Sequence, residues 1–380
     1  MIMKHLENLL VKKLEDVKNQ NNYRHLNDFN NYIDFSSNDY LGLARNLELK
    51  QISEEKIKNL HNKVNGSGGS RLISGHHKYI ESIEKKIAEI HKTEAALLFN
   101  SGYNANMGVL SSLPQKNDVI LYDEYCHASL KDGMRLSFAD KYSFKHNNVD
   151  DLKIKLDKFK DKLCYVVLES VYSMDGDMAP ITEIVKITKE YKTILVVDEA
   201  HSTGIMGKYG SGYTNFLNLE KEIDIRIHTY GKALGCHGAA VVGSENLKNY
   251  LINFSRPFIY TTALPLHAYA SIETAYDYIF THYETLQNQL KYNINSLVCK
   301  CTDIKFIHNT TPILCIEIPG NESCKKVAKQ LQDQNIDVRA ILSPTVQKGK
   351  ERLRICIHTY NSEEEIIKLA NALNKTQKGQ

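Results

Sequence analysis

Two stretches, CYVVLE (164–169) and TILVVD (193–198), decide the fold: each is a short apolar run of strand length rich in β-branched residues. AALLF (95–99), DVILY (118–122) and DIRIHTY (224–230) have the same length and character. Between such runs the apolar spacing changes to that of a helix. Over 77–91, Ile80, Ile83, Ile87 and Ile90 recur on one face, while Glu81 and Lys85 sit one turn apart on the other. Strands interleaved with helices require crossover connections, which leave the strands parallel and cover both faces of the sheet. The expected fold class is therefore α/β, with a mostly parallel central sheet and helices on both faces.

After about residue 265 the texture changes. A long helical stretch (267–291) is followed by KFIH (305–308), PILCIEI (312–318), a helix and RLRICI (352–357), which implies a smaller α+β domain. Its last helix has a marked start, because Ser362 and Glu365 stand at capping-box spacing and Ile366, Leu369, Ala370 and Leu373 follow on one face. The division expected is an N-terminal helical arm over 1–45, a large domain over 46–265 and a small C-terminal domain over 266–380.

Composition narrows the function classes. The 380 residues are 42% hydrophobic and 24% charged with a formal net charge of +3, which gives no dominant field for nucleic acid. The eight cysteines show neither a CxxC pair nor His/Cys ligand spacing, so no structural zinc site or secreted disulfide framework is expected. Reduced thiols in the cytoplasm are the simpler reading. The first twenty residues interleave charges with Leu6, Leu10, Leu14 and Val17, a helical face rather than a signal peptide. No window of about 18 uncharged apolar residues occurs, so no membrane partner is expected.

In parallel α/β sheets ligands sit beyond the carboxyl ends of strands. Asp198 ends TILVVD, and His201 follows three residues later. That pair suits a base, half of a metal site, or the partner of a protonated ring nitrogen; a capped helix start is the plain alternative. HTYGKALGCHGAA (228–240) places Lys232 after a strand among Gly231, Gly235 and Gly238, where glycine lets the backbone pass close to a ligand. Such a lysine is often a solvated cation. A covalently bound electron-sink cofactor would need both the lysine and an anion for its ring nitrogen, and Asp198 lies one strand earlier. NSGYNANMG (100–108) follows AALLF as a helix start able to bind an anion. GSGGSR (66–71) lacks GxGxxG spacing and a preceding strand, which sets aside a nicotinamide site.

Taken together, FSSNDYLGLA (35–44), GSGGSRLISGHHKYIESIEKKIA (66–88), FNSGYNANMGVL (99–110), DEYCHASLKDG (123–133), ESVYSMDGDMAPI (169–181), VVDEAHSTGIMG (196–207), HTYGKALGCHGAA (228–240), SRPFIYTTALP (255–265) and PTVQKGKERLRI (344–355) resemble the α-oxoamine synthases, within the fold-type I pyridoxal-phosphate enzymes. The likeness runs over nearly the whole chain. It implies pyridoxal 5'-phosphate carried on Lys232, which then removes the substrate's α-proton, with Asp198 on the pyridine nitrogen and His201 on the phenolic oxygen. It also implies His127 stacked on the ring, Gly102, Tyr103, Ser173 and Thr229 as further cofactor contacts, and Thr262 reaching the phosphate across a homodimer interface. For substrates, the resemblance assigns the amino acid's carboxylate to Arg354, the acyl carbonyl to Asn38 and a dicarboxylic acyl chain to Arg24; it assigns no metal.

Two positions depart from the family pattern. Cys356 stands where close relatives often have threonine, which implies a lost substrate hydrogen bond; Ser343 replaces the first proline of a PPTV loop, which implies a less rigid loop. Ser70 in GSGGS stands where glycine-restricted members have threonine, and the missing methyl leaves room for alanine's side chain. This favours the member that joins L-alanine to a pimeloyl thioester, on coenzyme A or an acyl carrier protein, with loss of carbon dioxide in biotin biosynthesis. Glycine-using members such as 5-aminolevulinate synthase or 2-amino-3-ketobutyrate ligase, and a non-catalytic regulatory or binding protein on the same fold, are the alternatives.

Overall fold

A computed structural model describes residues 2–26, 28, 31–60 and 64–378. Its strands are β1 (Ile33–Asp34), β2 (Ala95–Phe99), β3 (Val119–Asp123), β4 (Asp140–Phe144), β5 (Cys164–Glu169), β6 (Thr193–Asp198), β7 (Ile225–Thr229), β8 (Ala239–Gly243), β9 (Ile313–Glu317), β10 (Ile336–Asp337), β11 (Arg339–Ile341) and β12 (Arg352–Cys356). The chain divides into two compact units, one of residues 38–173 and 177–289, the other of residues 1–37, 174–176 and 290–380.

The larger unit holds a seven-stranded sheet in the order β2-β8-β7-β6-β5-β3-β4. The strands from β4 to β7 are parallel neighbours, and β8 runs antiparallel between β2 and β7. All five apolar runs of this unit are strands in the structure, within a residue at either end. Two strands escaped the sequence pattern. β4, DKYSF, lies at the sheet edge with only Phe144 buried, so it carries no apolar run. β8 is short and alanine-rich, and it reads as a glycine-rich loop until its pairing is seen.

Side chains on the two faces of the sheet build two cores. Leu97, Ile120, Val167, Val196, Ile227 and Val241 face one layer, packed with Val109 and Leu110 of the helix Gly102–Ser112. Val119, Leu121, Val166, Leu195 and Val197 face the other, with Leu152, Ile184 and Val185. The helix Lys78–Ile90 buries Ile80, Ile83 and Ile87, the face expected from spacing.

The smaller unit pairs β1 with β10 in parallel and forms the antiparallel sheet β11-β12-β9. KFIH is not a strand there: the segment joins neither sheet, and the Ile307 N–H to the Cys315 carbonyl, 2.8 Å, is a lone bond rather than a ladder. The terminal helix Glu363–Lys378 starts on the expected capping box. Glu365 N–H donates to Ser362 Oγ at 3.2 Å, and Ser362 N–H donates to Glu365 Oε2 at 3.0 Å. No helix of the described residues is long and apolar enough to cross a membrane.

Leu97 is fully buried between the sheet and its covering helices, so Leu97→Ala should cost about 2–5 kcal/mol through transfer and cavity terms. Ser362→Ala should cost only about 1 kcal/mol, the worth of a helix cap. Paired urea titrations measure both, and comparable losses would refute the assignment of Leu97 to the core.

Candidate active site

Three neighbouring strands bring polar residues to one place. Val196 of β6 faces the layer of the helix Gly102–Ser112, and the period-two alternation of a strand turns Asp198 the same way. Val167 and Ile227 fix the same orientation for Glu169 at the end of β5 and Thr229 at the end of β7.

Asp198 is buried, and its partners are neutral. Oδ2 accepts from Asn106 Nδ2 at 2.7 Å and Oδ1 from the Ala200 N–H at 2.9 Å. A carboxylate has about four acceptor positions, so lone pairs are left for a cationic donor in a place where an isolated negative charge is costly. Glu169 pairs in register with Asp198 and is 2% exposed. Burial, reinforced by the Asp198 charge, raises its pKa to about 8, so at neutral pH Glu169 is mainly protonated. Its Oε1 accepts the His127 N–H at 2.6 Å.

Lys232 follows β7 in a turn that needs glycine. Gly235 has φ 63, and a Cβ there would lie 2.1 Å from the Ala44 nitrogen. Lys232 Nζ is 2.8 Å from His201 Nε2, His201 Nδ1 is 2.9 Å from the Tyr40 hydroxyl, and that hydroxyl donates to Asn38 Oδ1 at 3.0 Å. Tyr40 has one proton and gives it to Asn38, so Nδ1 carries the ring hydrogen and Nε2 accepts from the lysine.

Asn106 also donates to Ser129 Oγ at 2.9 Å, and Ser129 Oγ lies 2.7 Å from His127 Nδ1. One buried amide thus ties His127 to Asp198. Partial desolvation lowers the His127 pKa, opposed by the Asp198 carboxylate, although much of the residue remains exposed. Gly102 opens its helix so close to β7 that a Cβ would lie 2.2 Å from Thr229 Oγ1. Ser101 caps that helix through the Asn104 N–H at 3.1 Å, leaving its other first-turn N–H groups for an anion.

The remaining expected residues are more dispersed. Tyr103 is 43% exposed and its hydroxyl bonds Asp132. Thr262 is exposed, and its carbonyl accepts from Asn100 Nδ2 at 3.3 Å, two residues before Gly102. The Gly69 carbonyl accepts from the Ala263 N–H at 2.9 Å, which sets buried Ser70 beside this segment. Ser70 Oγ has no hydrogen-bond partner among the described residues. Ser173 is buried four residues beyond Glu169.

Arg24 and Arg354 belong to the other unit. Arg24 is exposed, whereas Arg354 is 7% exposed and donates from Nη1 to Cys356 Sγ at 3.0 Å. The backbone of Ser343 is tied on both sides, its N–H to Asn321 Oδ1 at 3.0 Å and its carbonyl to Asn22 Nδ2 at 3.0 Å.

One alternative for the Asp198–His201 segment drops out, the capped helix start, because residues 200–205 form turns rather than a helix. Tyr40, Asn106 and Glu169 were not singled out from the sequence. Glu169 could have been, by the strand-end rule that found Asp198; Asn106 and Tyr40 show their roles only through partners far along the chain. An amine, a buried acceptor and an anion-binding helix start on one face fit a ligand with a carbonyl, a protonated ring nitrogen and a phosphate.

Comparison with known proteins agrees. The family model for aminotransferase class I and II matches residues 30–373. An 8-amino-7-oxononanoate synthase of Emericella nidulans is 40% identical over 88% of this chain and 86% of its own, and one of Lysinibacillus sphaericus is 38% identical over 91% and 89%. Among solved structures, a serine palmitoyltransferase of S. paucimobilis with a bound PLP–myriocin aldimine matches with TM-score 0.86 at 27% identity, covering 92% of this chain and 88% of that one. An 8-amino-7-oxononanoate synthase of Francisella tularensis matches with TM-score 0.79 at 29% identity, over 92% and 99%. The chain belongs to the class I and II aminotransferase family, on the α-oxoamine synthase branch that holds the 8-amino-7-oxononanoate synthases.

Proposed function

We propose that the chain is a pyridoxal-phosphate-dependent acyltransferase that condenses L-alanine with a pimeloyl thioester to give 8-amino-7-oxononanoate, the thiol and carbon dioxide. The observation that carries this reading is that Lys232 and Asp198 both act electrostatically on Glu169 and His127 while Asn106 ties Asp198 to the helix that starts at Gly102, in a chain whose relatives bear that name. Bound there, pyridoxal phosphate supplies an electron sink for the carbanion at the amino acid's α-carbon.

The chain's own residues do the rest. Lys232 Nζ binds the cofactor and later accepts the α-proton; its contact with His201 Nε2 keeps the amine oriented. Asp198 would hold the proton on the ring nitrogen, and beside it burial keeps the Glu169 side chain mainly protonated at neutral pH. His201, with its hydrogen on Nδ1, serves the ring's phenolic oxygen. His127 would lie against the cofactor ring, and Gly102, Tyr103, Ser173 and Thr229 would complete the residues that hold the cofactor.

Thr262 serves the phosphate of a second copy in a homodimer, and its exposure suits that task. Arg354 takes alanine's carboxylate, Asn38 the acyl carbonyl and Arg24 the distal carboxylate of the acyl chain. The acyl carrier is coenzyme A or a carrier protein, and the location is cytoplasmic. Ser70 borders alanine's methyl group, which its buried, unpartnered hydroxyl supports as a ligand-facing position.

Incubation of the cofactor-loaded protein with L-alanine and pimeloyl-CoA should yield a product with the mass of 8-amino-7-oxononanoate. A higher kcat/KM with glycine or L-serine would overturn the assignment. Lys232→Ala should abolish the visible absorbance of the bound cofactor and lower kcat by about 10²–10⁴-fold, the usual worth of a positioned base; unchanged absorbance and turnover would remove Lys232 from the mechanism. Ser70→Thr should shift the alanine-to-glycine preference toward glycine by about tenfold, the scale of one methyl group in a pocket. An unchanged ratio would take Ser70 out of substrate selection.

A further inference from the structure

His146 stands outside the cofactor site, in the connection that follows β4, yet both of its ring nitrogens are held. Its Nδ1 is 2.9 Å from Asp123 Oδ1 and its Nε2 is 2.7 Å from Asp177 Oδ2. Both carboxyl groups are buried. An ionised carboxylate only accepts, so two such bonds at once require hydrogen on both ring nitrogens, the imidazolium form. The ring is held flat as well. Tyr125 stacks on it at 4.4 Å and 21°, and Tyr172 meets it edge-on at 4.5 Å and 88°. Around it, the Asn147 N–H donates to Asp123 Oδ2 at 2.9 Å and Asn147 Nδ2 to Asp177 Oδ2 at 2.6 Å, while Asp123 Oδ1 also accepts the Tyr125 N–H at 2.8 Å.

These bonds join three connections at the carboxyl ends of β3, β4 and β5. The first runs from Asp123 to His127 and the third includes Tyr172 and Ser173. We propose that His146 is a positioning residue, an imidazolium cross-link that sets where His127 and Ser173 stand and so tunes how tightly the larger unit holds its cofactor. The inference rests on the reading of His127 and Ser173 as cofactor contacts.

The electrostatics agree with the geometry. Burial pulls the His146 pKa down, but the bonds to Asp123 and Asp177 outweigh it and lift the value to about 9. The groups facing the ring are Asp123 at the end of β3, Tyr125 after it, and Tyr172 and Asp177 after β5; Glu124 Oε1 accepts the His146 backbone N–H at 3.0 Å, and Lys145 lies beside it in the chain. A histidine raised in the folded state stabilises the fold below its ordinary pKa near 6.5, and that contribution is lost as pH rises through about 9.

Spectroscopic titration of cofactor-free protein with pyridoxal phosphate, together with hydrogen–deuterium exchange, tests this. His146→Gln keeps one amide donor and no charge. It should raise the dissociation constant about tenfold, the effect of one lost charged hydrogen bond passed on to the pocket. Amides of residues 123–130 should exchange faster with and without cofactor, and exchange in the wild type should approach that of the variant as pH passes about 9. Asp177→Asn should act in the same direction and carries the test if the histidine variant does not fold. Unchanged affinity and unchanged exchange in both variants would overturn the proposal. His127→Ala separates the two layers: if it too leaves cofactor affinity unaltered, the pocket assignment fails, whereas a weakened His127 variant beside an unaffected His146 variant sinks this inference alone.

Discussion

Parallel pairing of β5 with β6 sets Glu169 and Asp198 side by side at adjacent strand ends, both buried. Two carboxylates in such a place cannot both ionise cheaply. The larger unit resolves this by asymmetry. Asp198 receives an amide and a backbone N–H, while Glu169 receives a single N–H and keeps its proton up to about pH 8. Asp198 keeps free acceptor positions there, bonded by Asn106 of the helix that starts at Gly102, and both it and Lys232 act electrostatically on His127 and Glu169.

A second buried network ties β7 to the segments around it. Arg226 of β7, 1% exposed, donates to Asn215 Oδ1 at 2.7 Å and to the His91 carbonyl at 2.8 Å. His91 stacks on His228 at 3.7 Å, and burial followed by the Arg226 charge holds His91 near 3, so neither imidazole competes with the guanidinium for anions. His228 Nδ1 lies 2.8 Å from Thr203 Oγ1, and Thr203 donates to the Glu199 carbonyl at 2.7 Å. The turn that carries His201 is thus fastened to the strand that leads to Lys232. Their 2.8 Å contact inherits its accuracy from packing beneath it.

In the smaller unit the departures from the family pattern have local compensations. The Cys356 thiol takes a guanidinium N–H from Arg354, where a hydroxyl would be the stronger acceptor. Ser343 lacks the ring constraint of proline, but Asn321 and Asn22 hold its N–H and carbonyl. The stiffness that proline would supply through the unfolded chain is supplied here by bonds in the folded one. KFIH shows the opposite case. Alternation within four residues is too short to specify a strand: KFIH runs beside the edge strand β9, yet makes only the Ile307 N–H bond to its Cys315 carbonyl.

The sequence by itself determined, to within a residue, where five of the seven strands of the large sheet lie, because apolar runs and helical spacing are local properties of hydrophobic burial. It also determined the capping box at Ser362 and the residue types, lysine, aspartate and histidine, that strand ends would present. Edge strand β4 stayed hidden because only Phe144 of it is buried, and β8, although buried, because its AAVVG follows directly on the glycine-rich segment that carries Lys232. Only the tertiary structure decided that Asn106 bridges Asp198 and Ser129, that Tyr40 sets the His201 tautomer, and that Glu169 is the protonated partner. Those outcomes depend on distances between residues up to 161 positions apart and on the loss of water around them, and neither quantity is written in any stretch of sequence.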